Sequence, residues 1–283
     1  MTETLEQSKA LTHPKQKNDI IKIIAMVTMF IDHLGVIFFP ESLMLRVIGR
    51  IAFPIFAYGI AMGFHYTRDR KKYVLRLLMF SIISQIPYMW LNKHAAFEPY
   101  RINQIPQLLY AVGVLFVLEA TLKSRGIKKI GLILLSLVLA FIPDVILSLN
   151  SQLNFGYGTY GVLMSMLFYV FRHDWLKITI SYILLTLLGP YLSLVKGYAM
   201  AEGSNWFKSF INVKFNLESM RVALSIPGYS SYFILQAYSM LALPILYKSE
   251  MKPKSFKLNR WIVYWFYPVH IAALVIAFKI LRG

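Results

Sequence analysis

Long apolar segments follow one another along almost the whole chain and are separated by short polar turns. At 1.5 Å per residue, helices of about twenty residues cross a bilayer, and nine segments reach or approach that length. The predicted spans are Ile20–Phe39, Val47–Phe64, Tyr73–Leu91, Gln104–Leu122, Ile127–Leu147, Gly158–Phe171, Leu176–Val195, Ile226–Tyr247 and Trp261–Leu281. The pattern predicts an all-α, polytopic integral membrane helix bundle of about nine transmembrane helices.

The stretches outside these spans are too short for a separate soluble domain. Residues 1–19 form a polar tail without an apolar segment before Ile20, so we expect no cleavable signal peptide. Residues 20–283 are predicted to form a single transmembrane domain. Its longest connection, residues 196–225, mixes aromatic and polar residues at helical spacing, which is typical of a helix on the outer membrane interface or over the mouth of a site.

Composition agrees with the membrane interpretation, since 57% of the residues are hydrophobic and 15% are charged. Cysteine is absent, which excludes disulfides, thiolate metal sites and a cysteine-borne thioester intermediate. No metal site is predicted.

The net charge of +17 is explained by topology. If the N-terminus is cytoplasmic, twenty of the thirty Lys and Arg residues fall on the cytoplasmic side, as the positive-inside rule requires. No basic patch is interleaved with stacking aromatic residues, so nucleic acid is not an expected partner.

Asp32, His33 and Arg50 are ionisable residues inside predicted spans. Each charged group at membrane depth costs roughly 2.5–3.5 kcal/mol, so such residues usually mark a functional site. A histidine there can act as a general base, and Asp32 can orient His33 or pair with Arg50. The alternative is an ion pair that locks the first two helices. Gly49 permits close helix approach, and Pro54 frees a backbone carbonyl.

Two further groups of residues are candidates. A basic loop after the second span suits the phosphates of a nucleotide-bearing donor, although topology alone also explains its charge. Its candidate residues are Arg68, Arg70, Lys72, Tyr73 and Arg76. Four polar residues near the outer side can line a vestibule, cap a helix or, for the histidine, pack in the bundle. They are Asn103, Gln104, Tyr157 and His270.

Several motifs, in order along the chain, resemble the TraX family of integral membrane proteins. They are Asp32-His33, Gly49-Arg50-Ile51-Ala52-Phe53-Pro54, Gly63-Phe64-His65-Tyr66-Thr67, Ser84-Gln85-Ile86-Pro87, Tyr157-Gly158 with Gly161, and Phe266-Tyr267-Pro268-Val269-His270. The chain departs from the family pattern at residues 103–110, where Asn103 and the leucines remain. This difference concerns the acceptor more than the chemistry.

The resemblance implies a membrane acyltransferase, since TraX proteins are associated with acetylation of pilin N-termini and resemble other transmembrane acyltransferases. An acetyl or other short acyl group would pass from acyl-CoA at the cytoplasmic face to an amine or hydroxyl at the outer side. His33 would deprotonate the acceptor, Asp32 would hold His33 or the acceptor, and Arg50 would stabilise the oxyanion.

The resemblance further implies that the basic loop binds the CoA phosphates. It also implies a bacterial inner membrane, surrounding lipid, and a pilin, lipoprotein or other membrane-associated acceptor. Direct transfer is favoured over an acyl-enzyme, because neither a cysteine nor a suggestively spaced Ser-His pair is present.

A proton-coupled small-molecule transporter is the alternative function, with Asp32, His33 and Arg50 relaying protons and binding substrate. The chain lacks two similar halves, which favours the enzyme.

Overall fold

The structure, a computed structural model, describes residues 19–91, 96–149, 156–201, 235–251 and 256–282. These residues fold into ten α-helices and one short 3-10 helix at Tyr238–Leu241. The α-helices are α1 (Ile20–Phe38), α2 (Leu43–Gly49), α3 (Ala52–Tyr66), α4 (Arg70–Tyr88), α5 (Gln104–Lys123), α6 (Gly126–Leu149), α7 (Gly158–Val170), α8 (Trp175–Ala201), α9 (Ala242–Met251) and α10 (Arg260–Arg282).

Within the described residues, five helical segments are long and apolar enough to cross a membrane. They are Ile20–Phe38, Leu43–Tyr66, Gln104–Lys123, Gly126–Ile146 and Arg260–Leu281, and Gly158–Val170 and Trp175–Gly189 are shorter apolar helices. The predicted all-α membrane bundle is therefore confirmed, and the protein is a multi-pass membrane protein. The predicted eighth span lies outside the described residues before Leu235, as does the predicted connection 196–225 beyond Ala201.

The predicted second span is not one regular helix, because it is interrupted between α2 and α3. Pro54 has no N–H to donate to the carbonyl of Arg50 four residues earlier, and its ring clashes with that carbonyl. The chain responds with a tight turn in which the N–H of Ile51 bonds to the carbonyl of Ile48 at 3.2 Å. The turn places Arg50 at the junction between two helices.

The chain crosses the bundle repeatedly in alternating directions, with α2 and α3 forming one crossing, and this gives the bundle two ends. We call the end at which α1 and α10 begin the near end, and the end at which α1 finishes the far end. Helix α1 packs against α2, α3 and α10, while α3 also packs against α5 and α7. The largest fully buried side chains include Phe64, Leu115, Phe168 and Tyr182.

Helix α6 presents an apolar stripe to the outside. Ile127, Ile130, Leu134 and Val138 recur at helical spacing and are 59–89% exposed. Such a stripe suits contact with lipid chains, which require no polar partner.

Candidate active site

A cavity of about 500 Å³ extends through the bundle from the near end to the far end. At the near end its wall includes Lys22, Gly63, Tyr73, Arg260 and Tyr264. At the far end it includes Asp32, His33, Arg46, Arg50, Arg101, Gln104, Tyr157 and Tyr267. Lys22 and His33 both lie on α1, about 16 Å apart at 1.5 Å per residue. The cavity therefore joins the near-end surface to the ionisable residues predicted inside the membrane.

His33 is held by His270 rather than by Asp32. Nδ1 of His33 lies 2.8 Å from Nε2 of His270, and the two buried rings stack with their centroids 5.0 Å apart and their planes within 4°. Nδ1 of His270 in turn lies 2.6 Å from the backbone carbonyl of Phe266. Of the roles that the sequence left open for Asp32, holding the His33 ring is not the one seen, since neighbouring residues on a helix point about 100° apart.

The contacts of His270 determine which ring nitrogens carry protons. A carbonyl only accepts, so Nδ1 of His270 must be the donor to Phe266, and in a neutral ring Nε2 is then the acceptor. His33 consequently donates from Nδ1 to His270, which leaves Nε2 of His33 as the basic nitrogen. Since His33 lines the cavity and His270 does not, Nε2 is the ring atom available to a reacting group.

His270 was predicted to line an outer vestibule, and the structure instead places it behind His33. It lies against Phe266, with ring centroids 4.6 Å apart, and is 5% exposed. Its side chain bonds to the Phe266 carbonyl, four residues earlier on the same helix. His270 is thus a positioning residue for His33.

Asp32 forms an ion pair with Arg46, not the pair with Arg50 that the sequence suggested. Its Oδ2 lies 2.9 Å from Nη1 of Arg46, and the pair ties α1 to α2. The predicted locking of the first two helices is therefore present, with a different arginine. The other carboxylate oxygen, Oδ1, is buried without a hydrogen bond.

Gly49 makes the position of Asp32 possible. A Cβ atom at Gly49 would overlap the Asp32 carboxylate, and one at Gly35 would lie 2.8 Å from Cβ of Leu45. The two glycines let α1 and α2 approach closely, as predicted for Gly49.

Arg50 lies at the α2–α3 junction and donates from Nη1 to the Tyr157 hydroxyl at 3.1 Å. The Tyr157 ring stacks on Phe53 with centroids 3.7 Å apart. Both Arg50 and Tyr157 line the cavity. A buried guanidinium is a strong donor for an oxyanion that develops in the same cavity.

Gln107 of α5 fixes the backbone that carries Tyr157. Its Oε1 accepts the N–H of Tyr157 at 2.9 Å, and its Nε2 donates to the Gly158 carbonyl at 3.0 Å. A Cβ at Gly161 would collide with the Gln107 amide. The segment in which the chain departs from the family pattern thus supports the site from behind.

Gln85 fixes the backbone of the segment before α5 in the same way. Its Nε2 donates to the Arg101 carbonyl at 2.7 Å, and its Oε1 accepts from the Asn103 backbone and side chain. Asn103 caps α5 by accepting the N–H of Ile105 and does not line the cavity, so of its two predicted roles the structure shows the helix cap and not the vestibule. Gln104 and Arg101 do line it.

The predicted donor-binding loop is only partly at the cavity. Tyr73 lines it, whereas Arg70 forms a two-armed ion pair with Glu119 and lies over the Phe64 ring. Lys72 pairs with Asp69 at 3.2 Å on the surface, where the Lys72 N–H holds the pKa of Asp69 below its usual range. Arg68 is exposed and Arg76 is half-buried, and neither lines the cavity.

Four basic residues of the cavity wall were not singled out from the sequence as site residues. They are Lys22, Arg46, Arg101 and Arg260. Each lies at or near the edge of an apolar span, where membrane topology alone accounts for a basic residue. A sequence signal existed only for Arg46, which lies on the same face as Arg50, four residues away.

These features define a class of protein: a multi-pass helical membrane protein with a buried histidine pair at a cavity that joins its two ends. The chain belongs to the TraX family, since residues 17–277 match the family described as TraX protein.

Individual relatives are similar over shorter stretches. The probable fimbrial assembly protein FimC, serogroup H1, of Dichelobacter nodosus is 27% identical over 169 residues, 58% of this chain and 66% of that protein. Protein TraX of Escherichia coli is 37% identical over 89 residues, 31% of this chain and 35% of that protein. An uncharacterized protein of Rickettsia prowazekii is 37% identical over 68 residues, 24% of this chain and 25% of that protein. The chain thus spans less than two thirds of each of these relatives. No solved structure matches it.

Proposed function

We propose that this protein is a membrane-embedded acyltransferase that moves an acetyl or other short acyl group from acyl-CoA to an amine or hydroxyl. The observation that carries the proposal is the placement of His33. Its Nδ1 is held by His270, and its ring lines a cavity that reaches the near-end surface about 16 Å away along α1. A thioester on a long flexible arm requires such a passage between its nucleotide and the reacting base.

The transfer balances with the residues of the site. The acceptor nitrogen or oxygen attacks the thioester carbonyl carbon while Nε2 of His33 takes its proton. His33 becomes an imidazolium, and its Nδ1–H remains bonded to Nε2 of His270. As the C–S bond breaks, the CoA thiolate leaves and takes the proton from His33 as CoA–SH.

Arg50 would stabilise the negative oxygen that forms during this step. Its guanidinium is positioned by the Tyr157 hydroxyl, which accepts its hydrogen bond. Asp32 would act indirectly. Its ion pair with Arg46 stabilises the packing of α1 against α2, on which the geometry of His33 depends.

The charge distribution supports a cytoplasmic near end and therefore a cytoplasmic N-terminus in a bacterial inner membrane. The acceptor would then be presented at the outer side. A relative named as a probable fimbrial assembly protein supports a pilin-type protein as acceptor, and a lipoprotein or another membrane-associated amine or hydroxyl has the same reacting group.

The test is acetyl transfer by the purified protein in proteoliposomes, with radiolabelled acetyl-CoA and a short peptide that has a free α-amine. We expect label on the peptide and a higher melting temperature with acetyl-CoA, because ligand binding stabilises the folded state. A wild-type protein that neither transfers acetyl nor is stabilised by acetyl-CoA would refute the proposal. Uptake of solute driven by a proton gradient would instead support the transporter.

A steric block tests the passage itself. Gly59 lines the cavity, and a Cβ there meets no atom within 4 Å, so Gly59→Trp should fill the passage. Gly113 of α5 also faces open space but does not line the cavity, so Gly113→Trp is the matched control. We expect loss of transfer in the first variant alone. Equal activity in both would show that the donor arm takes another route.

A further inference from the structure

The near-end mouth of the cavity is built from the starts of two helices. Lys22 lies in the first turn of α1, and Arg260 is the first residue of α10. Both side chains line the cavity, and both residues are at least partly exposed to solvent. Tyr73 and Tyr264 line the cavity at the same end. Any molecule that enters from this end passes these four side chains.

Asp19 holds the mouth together. Its N–H donates to the Phe256 carbonyl at 3.0 Å, and its Oδ2 accepts the N–H of Leu258 at 2.9 Å. Its Oδ1 lies 2.6 Å from Nζ of Lys22. Asp19 is 6% exposed, so this clamp is internal, and it fixes the segment before α10 against the start of α1. Lys22 and Arg260 are thereby kept at one opening.

The electrostatics of the mouth favour an anion. Two cationic side chains and one carboxylate leave an excess of positive charge, and the first turns of α1 and α10 contain no acidic residue. The partial positive charges of the two helix N-termini add to this field. Arg260 presents a planar donor that suits phosphate oxygens, and Lys22 presents a point charge.

The basic loop before and within α4 is less suited to the same task. Arg70 is committed to a two-armed ion pair with Glu119. Arg68, Arg70, Lys72 and Arg76 are all absent from the cavity wall. Phosphates bound by these groups would not be aligned with the opening through which the thioester must pass.

We propose that Lys22 and Arg260 form the phosphate-binding site for the acyl donor, at the near-end mouth of the cavity. This inference rests on the proposed acyltransferase function and identifies the charged side chains that bind the phosphates of the donor. The pantetheine arm then passes Tyr73 and Tyr264 on its way to His33.

The experiment compares two matched pairs of substitutions in the full-length protein. The mouth pair is Lys22→Gln with Arg260→Gln, and the loop pair is Arg68→Gln with Lys72→Gln. Each pair removes one lysine and one arginine that are accessible to solvent, and thermal unfolding checks that both variants fold. Acetyl transfer to the peptide is measured with acetyl-CoA and with S-acetylpantetheine, which carries the same thioester without phosphates.

The mouth pair should raise KM for acetyl-CoA by about tenfold or more, since charge-assisted hydrogen bonds to phosphate are lost. Its kcat and its activity with S-acetylpantetheine should stay near wild type, and the loop pair should change KM less than about twofold. An unchanged KM in the mouth pair would overturn the inference, as would equal weakening by the loop pair. In both cases wild-type transfer would leave the acyltransferase proposal standing. If the wild-type protein neither transfers acetyl nor is stabilised by acetyl-CoA, the acyltransferase proposal and the phosphate-site inference are both refuted.

Discussion

Nδ1 of His33 lies 2.8 Å from Nε2 of His270, although 237 positions separate the two residues in the chain. The contact joins the far half of α1 to the middle of α10 and fixes both the tautomer and the tilt of the His33 ring. His33 therefore needs no carboxylate partner to present a basic nitrogen to the cavity.

His33→Ala should lower the acetyl-transfer rate by roughly 10²–10⁴-fold, the usual contribution of a general base. Stabilisation by acetyl-CoA and the melting temperature should stay near wild type. Rates and thermal unfolding are measured on the same preparations. A folded His33→Ala protein with wild-type turnover would end the assignment of His33 as the base.

His270→Ala should lower kcat without changing KM for acetyl-CoA, because His33 loses the acceptor that orients its ring. His270→Gln should recover part of kcat, since an amide oxygen can accept from Nδ1 of His33. Steady-state kinetics of the three proteins separate positioning from a purely structural role. If both variants lose stability and activity together, His270 is a packing residue.

Gly49→Ala should destabilise the protein by about 1–3 kcal/mol, because the new Cβ forces the Asp32 carboxylate away from α2. Gly113→Ala should change the stability in the opposite direction. Its Cβ meets no atom within 4 Å, so alanine should stabilise the helix by about 0.5–1 kcal/mol. Thermal unfolding in one detergent compares the two. Equal melting temperatures would mean that α1 and α2 are less closely packed than described.

A double-mutant cycle should show strong coupling between Asp32 and Arg46. Removing either partner alone leaves a half-buried charge unpaired and costs about 1–3 kcal/mol, whereas removing both costs less than the sum. The Asp32–Arg50 cycle is the comparison, and its coupling should be smaller because Arg50 bonds to Tyr157. Both coupling energies are measured by unfolding of the alanine variants. A larger coupling for Asp32–Arg50 than for Asp32–Arg46 would support the Asp32–Arg50 pair that the sequence suggested.

Cysteine accessibility tests the orientation, and it is straightforward in a chain without native cysteine. Lys71 lies at the near end, and Glu41 lies in the far-end turn between α1 and α2; both are exposed. In intact cells an impermeant thiol reagent should label Glu41→Cys and spare Lys71→Cys until lysis. Labelling of Lys71→Cys before lysis would reverse the orientation.

The apolar pattern was sufficient to predict the class of fold, because each span must satisfy its own backbone within one helix. The interruption after Arg50 was predictable in principle. Pro54 was recognised as freeing a carbonyl, and the proline rule identifies that carbonyl as the one of Arg50.

The pairing of side chains was not predictable to the same degree. Asp32 has arginines at two positions one turn apart in the next segment, and the approach of α1 to α2 decides in favour of Arg46. His270 carries no local signal for His33, since its role depends on where α10 packs. Lys22 and Arg260 likewise became site candidates only when two helix starts met at one opening.

The far half of the cavity has a consequence for the membrane as a permeability barrier. A passage that joins two aqueous compartments would dissipate the proton gradient if cations could follow it. Among the described residues, Arg46, Arg50 and Arg101 line its far half together with one carboxylate, Asp32. Fixed guanidinium groups in a narrow pore repel cations and protons, as they do in water channels. The same three arginines, Arg50 with its proposed role toward an oxyanion among them, would also keep the membrane sealed to positive charge.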